Sequence, residues 1–130
     1  MLKRLGIALL VSLLAAPAWA AGTTQIVVQW TRDIDWFHVQ QVLDDRAGQL
    51  GCDSDGNDIG SGTTNFYLYA ADPAIDGVVR RLIAMEAEHA LPPDMRIGVA
   101  VYKDAARKDW TYRPAHPAGL KSFDITYRKN

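Results

Sequence analysis

The sequence contains one cysteine in 130 residues, so no disulfide can form within the chain. Its stability must come from a hydrophobic core. It also lacks a basic excess. Lys+Arg number 14 against 15 Asp+Glu, a net charge of -1 with a pI near 6.3. That balance leaves no electrostatic footprint for nucleic acid. Glutamate is almost missing: Glu86 and Glu88 are the only two. Two residues apart on a helix, they do not share a face and make a poor acid/base pair. The histidines are His38, His89 and His116, none at metal-ligand spacing from another or from Cys52. No recognisable zinc motif follows from such spacing. No serine occupies a Gly-x-Ser-x-Gly elbow. At 14.4 kDa the chain is too short for a barrel or a two-half dinucleotide domain. No cofactor and no metal are expected, and no catalytic constellation is legible.

There is one long hydrophobic run, and it lies at the start. Lys3 and Arg4 precede an apolar stretch from Leu5 to Ala16, Pro17 interrupts it, and Ala18-Trp19-Ala20 has the small-x-small cleavage pattern. This is the pattern of a secretory signal peptide covering 1–20. The run is shorter than the roughly 20 residues a bilayer span needs. Cleavage after Ala20 would leave 21–130 as a single α+β domain. Losing Lys3 and Arg4 moves its net charge to -3. The expected location is periplasmic or secreted, with no membrane span after cleavage.

Hydrophobic periodicity orders the rest. Residues 25–31 are β-branched and aromatic and read as a strand. Trp36, Val39, Leu43, Ala47 and Leu50 recur at helical spacing, with Asp33 or Asp35 as a cap before them and Gly51 as a stop after them. Residues 53–62 are rich in Asp, Asn and Gly and predict a turn-rich stretch with a short hairpin strand. Residues 64–70 read as a second strong strand. Asp72-Pro73 opens a helix with its stripe at Ile75, Val78, Leu82 and Met85, stopped by Pro92-Pro93. His89 would continue that stripe. Residues 95–103 alternate as a strand, and 109–113 and 122–128 are shorter candidates. Strand, helix, hairpin, strand, helix, strand is the order of a ferredoxin-like two-layer sandwich, an antiparallel sheet with two helices on one face.

Alternation then assigns faces. If Phe66, Leu68, Ile97, Val99 and Val101 meet the helices, Tyr67, Tyr69 and Tyr102 point away from them, with Trp110 or Tyr112 extending the set. Such an aromatic face is either covered by the C-terminal segment, a surface for a dimer or protein partner, or a small-molecule platform. Calcium at Asp53, Asp55 and Asn57 fits an EF-hand loop poorly, because Asp58 stands where glycine and Thr64 where glutamate is required. Gly60-Ser61-Gly62 feeds a strand, whereas phosphate loops feed helices. Cys52 reads as buried, with Asp53 and Asp55 beside it opposing a thiolate. An intermolecular disulfide is its alternative.

The stretch Asp55-Gly56-Asn57-Asp58-Ile59-Gly60-Ser61-Gly62, with Asn65-Phe66 and Asp72-Pro73 after it, resembles a group of small uncharacterised bacterial proteins. They carry D-G-x-[DE]-x-G-x-G-x-x-N ahead of a central strand. The resemblance spans about residues 25–103 and implies a ferredoxin-like fold and no catalytic residue. The expected function is an exported non-enzymatic binding or protein-interaction module, an immunity-type inhibitor being one concrete form. The alternative is a small-molecule-binding protein or hydrolytic enzyme using the open sheet face. Candidate surface residues are Tyr67, Tyr69, Tyr102, Trp110, Asp58, Asn65 and His116. The candidate partner is another protein or a second copy of the chain, and no nucleic acid is expected.

Overall fold

Eight consecutive residues, Thr23–Trp30, form strand β1, and all eight are buried. A strand buried on both faces must have neighbours on both edges and cover above and below. The computed structural model, which describes residues 22–60 and 62–126, supplies all four. The expected signal segment 1–20 lies outside the described residues, as do Tyr127 and Arg128 of the last expected strand.

Helix α1 (Trp36–Leu50) follows β1. Asp35 caps it by accepting the His38 backbone N–H at 3.2 Å. Gly51 ends it in the left-handed region, at φ +89°, and the Cys52 N–H returns to the Ala47 carbonyl at 3.0 Å. Strands β2 (Asp53–Gly60) and β3 (Thr63–Ala71) then form a hairpin. A short 3-10 turn, Asp72–Ala74, leads into helix α2 (Ile75–Ala87). Strands β4 (Arg96–Tyr102) and β5 (Trp110–His116) complete a five-stranded sheet of order β2-β3-β1-β4-β5, antiparallel throughout.

The architecture is α+β, and one core unites it. Ile26, Val28 and Trp30 of β1, Phe66 and Leu68 of β3, and Ile97 and Val99 of β4 meet Val39 and Leu43 of α1 and Val78 and Leu82 of α2. Both helices therefore cover the same sheet face, as a two-layer sandwich requires. Trp30 is the largest fully buried side chain. Its ring packs edge-on to Phe66 at 5.7 Å, and its N–H donates to the Pro92 and Pro93 carbonyls at 3.2 and 3.1 Å. The polar atom of a large apolar residue is thus satisfied by the loop between α2 and β4.

Four elements differ from the sequence expectation. Residues 53–60 are a full edge strand, with a bulge between Ser54 and Asn57 where Gly56 takes φ +87°. Helix α2 stops before Pro92-Pro93. His89 adopts φ +65°, and the His89 and Ala90 N–H groups close onto the Glu86 and Met85 carbonyls. That hydrogen-bond pair ends a helix by itself. His89 is therefore an exposed terminating residue and not part of the buried stripe. Strand β5 runs on to His116, tolerating Pro114 because it lies at the sheet edge. Residues 122–126 are not a strand at all.

Cys52 is buried and free. Burial, with a smaller contribution from Asp53, pushes its thiol up to about 11. At pH 8 it should react with a maleimide far more slowly in the folded chain than in urea. Equal rates would contradict its burial.

Candidate functional site

The sheet face away from the helices carries two buried primary amides, Gln25 and Gln29, four residues apart on β1. A buried amide left without partners costs about 1–3 kcal/mol, so whatever covers this face must satisfy them. The two are satisfied in different ways.

Gln29 is served by β3 and by the chain beyond β5. Its Nε2 donates to Asn65 Oδ1 at 3.0 Å and to the Asp124 carbonyl at 2.7 Å. Asn65 Nδ2 in turn faces Asp58 Oδ1 (2.9 Å), Thr63 Oγ1 (2.9 Å) and the Ile125 carbonyl (2.8 Å). Thr63 Oγ1 donates to the same Ile125 carbonyl at 2.7 Å. Main-chain carbonyls of residues 124 and 125 are therefore strapped onto the sheet. Phe123 anchors the strap: its ring lies over Gly98 and packs against Tyr112 at 5.6 Å. A Cβ on Gly98 would come 2.3 Å from the Phe123 ring, so only glycine admits this contact.

Gln25 is served by tyrosines. Its Nε2 donates to the Tyr69 hydroxyl at 2.9 Å, and the Tyr112 hydroxyl donates to its Oε1 at 2.5 Å. The Gln25 backbone N–H donates to the Tyr102 hydroxyl at 3.1 Å. Arg107 stacks on the Tyr102 ring at 4.5 Å while bonding the Thr23 carbonyl and Asp72. Trp110 packs edge-on to Tyr102 at 5.8 Å. Beside this group, the Tyr67 hydroxyl donates to Asp58 Oδ2 at 2.7 Å. Asp58 thus links the two halves of the face, holding Asn65 with one oxygen and Tyr67 with the other.

The expected surface is therefore divided. Tyr67, Tyr69 and Tyr102 remain half-buried and Trp110 is exposed, while Asn65 is buried beneath the strap. His116 does not join them. Its register opposite Ile97 turns it to the helix side, where its Nε2 lies 2.7 Å from Glu86 Oε1. Glu86 Oε2 also accepts the Met95 N–H at 2.8 Å. That pair borders an open cleft of about 640 Å³ with Thr31, Arg32, Arg96 and Leu120. Hence no pocket joins His116, Asp58 and Tyr67. Sequence reasoning passes over Gln25, Gln29 and Phe123. The signal for the glutamines was two polar residues at even spacing in an apolar strand, which must share a face.

The oxygen-bearing side chains of residues 53–60 are divided between the two faces of β2. Asp53 and Asp58 register with the open-face residues Tyr69 and Asn65, while Ser54 and Asn57 bond to Asp44 and Gln40 of α1 on the opposite face. Among the described residues no group of three or more His, Cys, Asp or Glu side chains is placed to hold a metal ion.

Burial first, then the Asp58 carboxylate, raises the ionisation of Tyr67 well above the ordinary tyrosine range. Burial also raises Tyr69 and Tyr112. A raised folded-state pKa of this kind leaves stability unchanged below the unfolded value of 10.0 and removes it as pH climbs beyond. Urea midpoints should stay flat in this respect up to about pH 10 and fall above it. Asp58→Asn should bring Tyr67 down toward its ordinary range in an absorbance titration, and an unchanged curve would refute the Asp58 contact. Gly98→Ala should cost about 1–3 kcal/mol by overpacking against Phe123. The side-chain amide protons of Gln29 and Asn65, which the strap carbonyls accept, should then exchange faster, and unaltered rates would contradict the strap.

No family model, curated protein or solved structure matches this chain.

Proposed function

We propose that the chain is an exported, periplasmic, non-enzymatic protein-interaction module working through the tyrosine half of its open sheet face. One observation carries the reading. The strap covers the Gln29 half, while at the Gln25 half Tyr67, Tyr69, Tyr102 and Tyr112 keep exposed edges beside exposed Trp110. Their hydroxyls are held by Gln25 and Asp58, so the rings are already positioned before any partner arrives. Rigid aromatic side chains with polar tips give contact area at low entropic cost, which is why they anchor interfaces. An immunity-type inhibitor, a small acidic exported protein that occludes another protein's active site, is the concrete form.

The small-molecule or hydrolytic reading needs a titratable group converging with the aromatics. His116 is turned to the other face, bound to Glu86, which weighs against it. The fold reading belongs to the same proposal. β1-α1-β2 and β3-α2-β4 each leave one strand's width between their two strands, and the order β2-β3-β1-β4 supports a ferredoxin-like sandwich extended by β5. The likeness of Asp55–Asn65 to the small bacterial proteins agrees with it.

The test compares the mature wild-type chain with Trp110→Ala and Tyr69→Ala as baits in periplasmic extract. The wild type should retain one stoichiometric partner, and Trp110→Ala should weaken it about tenfold or more. A wild-type chain that captures nothing and sediments as a monomer would end the reading.

A further inference from the structure

Trp36, Phe37 and Ile59 are 42%, 60% and 54% exposed, three large apolar side chains left in water. They belong to one corner. Phe37 shares its helical stripe with Gln40 and Asp44, three and seven residues on. Those two reach β2: Gln40 bonds Ser54 and Asn57, and Asp44 bonds Ser54. Ile59 follows Asn57 by two residues on the same face of β2, so it lies toward the start of α1. Asp33 and Ile59 line one shallow hollow there, and Trp36 packs edge-on to Phe37 at 5.8 Å. Among the described residues the outer edge of β2 beside this patch has no strand neighbour.

The charge on this side of the sheet is mainly negative. The residues before and along α1 carry Asp33, Asp35, Asp44 and Asp45 against Arg46, while Arg32, which lines the same hollow, is paired with Asp94 at 3.3 Å. Among the described residues none of these four carboxylates is in a salt bridge. Elsewhere Asp72, Asp76, Asp94 and Asp109 each are, while Glu88 and Asp104 are not. Unpaired acids round an apolar patch repel a second copy of the same surface, because like charges placed together cost energy. They also guard the edge strand against self-association. The same charges attract a basic partner and speed its encounter.

We propose that the Trp36-Phe37-Ile59 corner is a second docking surface, and that its occupant is a basic segment of a partner protein whose Lys or Arg residues alternate with apolar ones. The apolar side chains of that segment cover the three exposed residues, and its cations meet the unpaired aspartates before and along α1. The inference rests on the interaction-module reading but not on the tyrosine surface.

The probe is a fluorescent twelve-residue peptide of alternating Lys and Val, with alternating Glu and Val as control, read by anisotropy against the mature chain. The Lys peptide should bind, the Glu peptide should not, and added salt should weaken binding. Phe37→Ala and Ile59→Ala should each weaken it several-fold. Asp33→Asn with Asp45→Asn should weaken it several-fold, and Trp110→Ala should leave it unchanged. Asp35 and Asp44 are kept because one caps α1 and the other holds Ser54. These substitutions are at exposed positions, and unaltered circular dichroism and melting establish the fold of each variant. Absence of binding overturns the proposal, as does binding that ignores Phe37 and Ile59, which would be adsorption by charge alone. Loss in Trp110→Ala with retention in Phe37→Ala overturns this surface while leaving the tyrosine reading intact.

Discussion

Gln25 and Gln29 place two primary amides on the buried open-side face of the central strand. A primary amide has two N–H donors and a carbonyl to satisfy, and burial without partners costs more than one bond yields. The other face of β1 is the ordinary problem of a hydrophobic core, solved by two helices. The open side is a hydrogen-bonding problem, and its two solutions give the molecule its division of surface. One amide recruits phenol hydroxyls, which leaves aromatic rings at the boundary with water. The other recruits main-chain carbonyls, which brings a length of irregular chain over the sheet.

Much of the layout was legible because it depends on period alone. The alternation of Ile97 and Val99 with Gly98 and Ala100 assigns the faces of β4 from period alone, whereas Val101, expected against the helices by the same parity, is left 45% exposed at the strand's end. The spacing from Trp36 to Leu50, closed by Gly51, marked α1 at both ends. Failures occurred where a long-range partner overrides local preference. Residues 53–60 look like turn because Asp, Asn and Gly dominate them, yet β3 supplies a ladder that makes them a strand. Ser122–Thr126 look extended and apolar enough for a strand, yet they lie over the sheet, where a ladder cannot form and side-chain amides reach their carbonyls instead.

The site was legible in part for the same reason. Tyr67, Tyr69 and Tyr102 were placed on one face by parity, and that placement agrees with the structure. His116 was misplaced because a bulge between β4 and β5 shifts the register at Ile97, an event with no sequence period. Asn65 is on the expected face but sealed from solvent, since nothing in its own neighbourhood announces a strap from sixty residues away.

The strap has a consequence for how this chain tolerates change over generations. The sheet grips residues 124 and 125 by their carbonyl oxygens, a group every amino acid possesses. Their identities are therefore nearly free to drift, whereas Phe123 and Gly98 must change together or not at all. A lineage could rewrite the end of this protein repeatedly while its covering function persisted, leaving a single aromatic-glycine pair as the durable mark of the arrangement.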